Sequence, residues 1–361
     1  MNQDLSVREY GKLRDAIREW YGFSPDTLVR TKFGTADCYI GIAGSRKIFV
    51  KIYLKKYPPE QIGKEIRACR LLTAAQVPVS EYLPNREGQY ISQGDIGVFT
   101  LQKYVEGITY EKFQTPLPVL FQSARLLGKI HTALAQMEGL SADFTPEWIA
   151  RANGEAALRK TENVLHKAEQ LPAGGFRDRI LEDCRWKLQA IPRARRWRDC
   201  FAGLSRKNSH GDYNNYQWIC KDETIQAVVD FGSCGNLPAI WELARSYTCS
   251  APECRDGDRV NLDTYVRYLR CYLEEEALNQ EDVSAGFRFY YYTLAASMYG
   301  YQEYMEDLAR GKENPVIHFA FWRTAVCRYL ETQGERLDER IGKMLGHTDT
   351  GCVNRSLCAD I

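Results

Sequence analysis

The sequence predicts a two-lobed α+β protein, with a small β-rich N-terminal lobe and a larger, mainly helical C-terminal lobe. Three observations carry this prediction. The stretches LVRTKFGTADCYIGIAG and RKIFVKIY are rich in β-branched and aromatic residues. Beyond Gly107 the apolar residues recur at helical spacing over most of the chain. One β-like interval, YQWIC and IQAVVDF, interrupts those helices. The expected division is residues 1–103 and 104–361, both within ordinary domain sizes.

Each element follows in order. Leu5, Tyr10, Leu13, Ile17 and Trp20 or Tyr21 stand at helical spacing and end near Gly22 and Pro25, which predicts an amphipathic helix. Two strands follow, joined by a tight turn at Gly44-Ser45. After Pro58-Pro59, Ile62, Ile66, Cys69 and Leu72 fall on one face of a second helix, with proline suited to its first turn. EYLPN, GQYISQ and GVFTLQKYVEG alternate as strands. LPVLFQSARLLGKIHTALAQ is a strong helix, and residues 145–200 read as two or three more, broken at Leu171 to Gly175 and at Pro192. Tyrosine-rich helices resume after residue 257. No internal repeat or low-complexity linker is visible.

Composition narrows the function classes. With 361 residues, 44% of them hydrophobic, the chain can bury a substantial core. Lys plus Arg (48) nearly cancels Asp plus Glu (47), so no strong net field invites nucleic acid or an anionic membrane. Twelve cysteines are scattered singly, the pattern of reduced thiols in an intracellular protein. The closest pairs, Cys249 with Cys254 and Cys352 with Cys358, lack the spacing of a zinc site. The N-terminus has no basic and apolar leader, and no run approaches the roughly 18 apolar residues that span a bilayer. A cytoplasmic location is the expectation.

The chemistry concentrates in SHGDYNNYQWICKDETIQAVVDFG. Two short strands around the turn KDET form a hairpin, which brings Asp212 and Asp230 to its same end. Phosphoryl transfer to a hydroxyl needs one carboxylate to orient the hydroxyl and accept its proton, and another to hold Mg2+ on the phosphates. Asp212 suits the first role and Asp230 the second. Transfer also needs a cation on the phosphates. Lys51, after the apolar run Ile48 to Val50, is the candidate, with Glu65 in the next helix as its partner. Gly34 and Thr35 stand where a phosphate-covering loop belongs, although no GxGxxG is present.

With these residues in view, HGDYNNYQ resembles the HGDxxxxN catalytic loop of the aminoglycoside phosphotransferase and choline kinase superfamily, and VVDFG resembles its metal-binding motif. KFGTADCYIGIAG with FVKIY is similar to the nucleotide loop and lysine strand, and LGKIHTAL to a helix of the large lobe. WELARSY resembles the segment after the metal aspartate, with Glu242 where many members have Asp. Its spore-coat-associated and methylthioribose-kinase-like branches are the nearest in pattern. The resemblance implies a protein-kinase-like fold, ATP and Mg2+ as cofactors, adenine near Gln102 to Val105, and an aminoglycoside, amino alcohol or sugar-like hydroxyl acceptor. It implies Gln217 as the second metal ligand, where the family places Asn. Residues 145–200, inserted before the catalytic loop, are expected to build part of the acceptor pocket.

Other readings remain open. A catalytically silent nucleotide- or partner-binding protein of the same fold would suit Gln217. A protein kinase would need a long segment after Phe231, where only GSCGNLPAI precedes Trp241. His210 is expected to support its loop, because Asp212 already supplies a base. His131 is expected to be packed in its helix. Of Tyr290, Tyr291, Tyr292, Tyr299, Tyr301 and Tyr304, one or two at most are expected to face a pocket. Glu253, Asp256 and Asp258 read as a solvated loop, with attraction of a cationic substrate as the alternative. The sequence leaves the acceptor, the choice of ATP over GTP and the oligomeric state undetermined.

Overall fold

The computed structural model describes residues 7–31, 37–53 and 57–346. Helix α1 (Val7–Tyr21) precedes strands β1 (Thr27–Arg30), β2 (Asp37–Ala43) and β3 (Arg46–Tyr53). Helix α2 (Pro59–Ala74) leads to β4 (Tyr82–Leu83), β5 (Ser92–Gly94) and β6 (Gly97–Lys103). The sheet order is β1-β2-β3-β6-β4, with β5 on the far part of β6, and the strand pairs are antiparallel. The turn between β2 and β3 is Gly44-Ser45, with Gly44 at φ 58°, the positive φ that a two-residue hairpin demands.

Side-chain alternation along β3 separates two tasks. Ile48, Val50 and Ile52 are buried on one face with Leu13 and Ile17 of α1 and with Phe99 and Leu101 of β6. Lys51 and Tyr53 turn to the other face, toward α2. The α2 helix buries Ile62, Glu65, Ile66, Cys69 and Leu72, the stripe read from its spacing with one carboxylate added.

The helical part comprises α3 (Leu117–Leu134), α4 (Pro146–Arg151), α5 (Glu155–Glu169), α6 (Arg177–Ala194), α7 (Ala239–Ser250), α8 (Leu262–Leu273), α9 (Gln280–Ala296), α10 (Tyr301–Ala309) and α11 (Val316–Leu345). Between α6 and α7 lie β7 (Arg206–Ser209), the hairpin β8 (Trp218–Lys221) and β9 (Thr224–Val228), and β10 (Gly235–Pro238), which pairs antiparallel with β7. The fold is thus the α+β arrangement that the sequence predicts. One expected break is corrected. Leu171 to Gly175 separates α5 from α6, but α6 runs through Pro192. The proline lies in the last turn, where the helix passes directly into a 3-10 turn over Arg195–Phe201, so little of the helix depends on the lost donor.

The tyrosine-rich α9 packs lengthwise on α11. Asp338 of α11 is fully buried and accepts hydrogen bonds from the backbone N–H of Phe287 (2.9 Å) and Arg288 (3.0 Å) and from Arg288 Nε (3.1 Å). Burial outweighs these bonds and pushes its pKa up to about 6. A carboxyl raised above its unfolded value of about 3.9 is bound to its proton longer in the folded state, so stability declines as pH rises through the window between them. The urea midpoint of the wild type, measured against Asp338→Asn, is therefore expected to fall from about pH 4 to about pH 6 and to level off above. A pH-independent difference between the two proteins would refute this assignment.

Candidate active site

Lys51 reaches the lobe junction because β3 alternation turns it toward α2. Its Nζ donates to Glu65 Oε1 at 2.9 Å and Oε2 at 3.2 Å, and to Asp230 Oδ1 at 3.0 Å. Tyr53 donates to the same Glu65 carboxylate at 3.3 Å. Burial would lower the Lys51 pKa, but Glu65 above all, with Tyr53 and Asp230, holds it well above the ordinary value. Burial would raise that of Asp230, but Lys51 outweighs it and keeps the carboxyl low. Lys51 is 12% exposed, Glu65 4% and Asp230 54%, so the cluster opens to solvent only on the Asp230 side.

Asp230 ends the hairpin at φ 64°, a left-handed conformation that aspartate tolerates better than bulkier residues. It starts the turn Phe231–Ser233, and Gln61 of α2 donates to Gly232 O at 3.3 Å. Strand β7 delivers the HGD loop beside it. Gly211 has φ 82°, and a Cβ there would collide with the Ser233 carbonyl oxygen, so only glycine lets the two loops meet. His210 Nε2 donates to Val229 O at 2.9 Å while Nδ1 accepts the Asp212 N–H at 3.2 Å. Both ring nitrogens are thus engaged with backbone, the supporting arrangement expected of His210.

Glu242, fully buried on α7, holds the loop from below. It accepts the Tyr213 N–H at 3.1 Å and the Ser209 hydroxyl. His131 of α3 is buried and bonds Ser209 through Nε2 and the Tyr272 hydroxyl through Nδ1. A consistent line of donation runs from Tyr272 to His131 to Ser209 to Glu242. Burial would raise the Glu242 pKa, but His131, His210 and Ser209 hold it down.

Asp212 is gripped from one side. Arg245 Nη2 forms an ion pair with its Oδ1, and Gln217 Nε2 donates to Oδ2 at 3.3 Å. Asn214 Nδ2 donates to the Asp212 carbonyl at 2.7 Å. Burial would lower the Arg245 pKa, but Asp212 overrides this and raises it. The aspartate opens into a cavity of about 1010 Å³, bounded in part by Lys112, Trp148, Gln217, Trp241, Tyr290 and Tyr299. Residues 145–160 contribute Thr145, Trp148, Arg151, Ala156 and Lys160 to its wall, the front end of the segment expected there. Tyr290 and Tyr299 alone of the tyrosine set border it, and Glu253, Asp256 and Asp258 do not.

The structure therefore gathers Lys51, Glu65 and Asp230 in one cluster, and Asp212 with Gln217 in a second that faces the cavity. The two are tied by His210 and by the Val229 N–H on Gln217 O at 2.9 Å. Gly34 and Thr35 lie outside the described residues, as do Cys352 and Cys358. Among the described residues Cys38, Cys69, Cys184, Cys200, Cys220, Cys234, Cys249, Cys254 and Cys327 form no disulfide. Sequence reasoning missed Arg245, Ser209, Lys112 and Arg323. Only Arg245 carried a signal: it lies one turn after Glu242 on α7, so both point toward the same loop.

No group of three or more His, Cys, Asp or Glu side chains that could cage a metal exists among the described residues. The two residues expected to hold a metal, Asp230 and Gln217, offer a carboxylate and a carboxamide oxygen, both hard donors. They suit Mg2+, which takes one or two protein ligands and fills its shell with water and substrate phosphates. Among the described residues no helix is long and apolar enough to cross a membrane.

The sequence pattern of the phosphotransferase enzyme family matches residues 33–277, well over half of the chain. No curated protein sequence matches it. Among solved structures, the spectinomycin phosphotransferase in complex with ADP and spectinomycin superposes with a TM-score of 0.65 at 13% identity, covering 92% of this chain and 100% of the other. The amicoumacin kinase in complex with AMP-PNP and Ca2+ gives 0.60 at 12%, with 94% and 95% covered. The choline kinase from Streptococcus pneumoniae gives 0.57 at 15%, with 90% and 100% covered. At these identities the likeness is one of fold.

Proposed function

The chain belongs to the phosphotransferase enzyme family, and from that premise we propose an ATP- and Mg2+-dependent kinase that moves the γ-phosphoryl group to a hydroxyl of a small molecule. Transfer of phosphate to an alcohol group is the common activity of that family and of its structural neighbours. The observation that carries the specific reading is Lys51 bonded at once to Glu65 and Asp230, with the Asp212 loop tied to the Asp230 hairpin through His210 and opening into a cavity of its own. A cation held by a buried carboxylate can neutralise phosphate oxygens, and a carboxylate held by Arg245 and Gln217 can accept a hydroxyl proton, which supports this reading.

In this reading Lys51 binds the phosphates and Glu65 keeps its ammonium in position. Adenine lies near Gln102 to Val105, where β6 leaves the sheet. Asp230 and Gln217 would hold Mg2+, which when bound neutralises charge on the phosphates. Asp212 orients the acceptor hydroxyl and takes its proton. The acceptor occupies the 1010 Å³ cavity, a size suited to a small molecule. A protein kinase is disfavoured: the short interval between Phe231 and Trp241 is taken up by the turn Phe231–Ser233 and by β10 (Gly235–Pro238), which pairs with β7 and runs straight into α7.

Incubation of the full chain with ATP, Mg2+ and pooled hydroxyl compounds is expected to yield labelled product, and EDTA to abolish it. Nucleotide binding with no transfer to any pool would favour the silent alternative, which the Gln217 substitution alone supports.

A further inference from the structure

The wall of the acceptor cavity is charged unevenly. Among the described residues Lys112, Arg151, Lys160, Arg245 and Arg323 border it, against two carboxylates, Asp212 and Glu303. Both carboxylates are already engaged. Asp212 is paired with Arg245, and Glu303 accepts the backbone N–H of Gly300 at the start of α10.

Three of the cations are drawn back from solvent. Arg323 of α11 donates to neutral groups, the Ser297 hydroxyl at 2.9 Å and the Tyr299 carbonyl at 3.5 Å. Its guanidinium lies 5.7 Å from the centre of the Phe319 ring, and the Lys112 ammonium lies 3.6 Å from the same ring. No carboxylate of the described residues lies within ion-pair distance of either. Arg245 pairs with Asp212 through Nη2, but its Nη1 is buried with no hydrogen-bond partner. Ring faces offset part of the cost of desolvating a cation, but they bring no negative charge. Burial, with repulsion from neighbouring arginines, holds the Lys112 and Arg323 pKa values below their ordinary values.

A concave wall of this sign concentrates anions and repels amines. Lys51 and Asp230 are not among the residues that border the cavity, and neither Arg323 nor Lys112 bonds to them, which leaves these two cations on the acceptor side of Asp212. We propose that the acceptor is an anionic hydroxy compound, a hydroxy acid or a phosphate monoester, whose oxyanion sits on Arg323 and Lys112 while its hydroxyl meets Asp212. This rests on the phosphotransfer reading of the same site. A polyamine or choline-like acceptor would add positive charge to a wall already positive.

The test is transfer from labelled Mg-ATP into three pools: hydroxy acids with sugar phosphates, uncharged sugars and polyols, and hydroxylated amines. Transfer is expected in the first pool, and its members, separated, tell carboxylate from phosphate. Arg323→Gln, which keeps a donor for Ser297, is expected to raise KM for that acceptor about 10- to 100-fold, the loss of one charge-assisted bond. KM for ATP should not move. Lys112→Gln, on a different segment, is a second reading should the first variant fold poorly. Transfer into the neutral or amine pool alone overturns the proposal, and so does an equal rise in both KM values, which would assign the cations to the nucleotide. No transfer into any pool, with ATP consumption the same in Asp212→Asn as in the wild type, is a distinct pattern that sinks the phosphotransfer reading and this inference with it.

Discussion

Asp212→Asn is expected to lower kcat about 10²- to 10⁴-fold, the range for loss of a positioned general base. The amide is nearly isosteric and can still accept from Gln217, so acceptor orientation is largely kept while proton acceptance is lost. KM for ATP should change little, because Asp212 shares no hydrogen bond or ion pair with Lys51, Glu65 or Asp230. Arg245 loses its counter-charge in the same variant, so thermal melting must be recorded alongside steady-state kinetics. A folded Asp212→Asn protein that keeps more than a tenth of wild-type kcat would remove the aspartate from the proposed base role.

Lys51→Met is the second large effect, and it separates binding from stability. Glu65 is nearly completely buried, and its partners are Lys51 and the Tyr53 hydroxyl. Removing the lysine leaves a buried carboxylate uncompensated, which costs about 3–5 kcal/mol. The measurement is urea unfolding of Lys51→Met, Glu65→Gln and the double variant. The double variant should recover much of the loss, since neutralising both partners removes the stranded charge. Activity should not recover with it, because no cation then faces the phosphates. Additive stability losses would mean that the pair is not the junction's ionic anchor.

Much of the fold was legible because its causes are local. The period-two run Ile48, Val50, Ile52 with Lys51 between reports a strand with one face in the core and one toward α2. Gly44-Ser45 announces a turn that few other pairs can make. The HGD and VVDFG segments announced themselves as a pair, and the hairpin between them formed as read. Pro192 misled because proline's penalty depends on where in a helix it falls, and the end of α6 is set by packing that no local pattern records.

The supports of the site were not legible. Ser209, His131, Glu242 and Tyr272 form one hydrogen-bonded line from four separate elements, and nothing in their spacing says that they meet. Arg323 lies more than a hundred positions after Asp212 yet borders the same cavity, as does Lys112 on the other side in sequence. By itself the sequence determined the class of fold and the order of most of its elements, and it singled out the two aspartates as candidates, since period, turn chemistry and short motifs are written within a few residues. The tertiary structure alone decided that Asp212 is gripped by Arg245 and that unpaired cations line the cavity before it. Charge acts through space at distances set by packing, and a near-neutral composition conceals how unevenly that charge is placed.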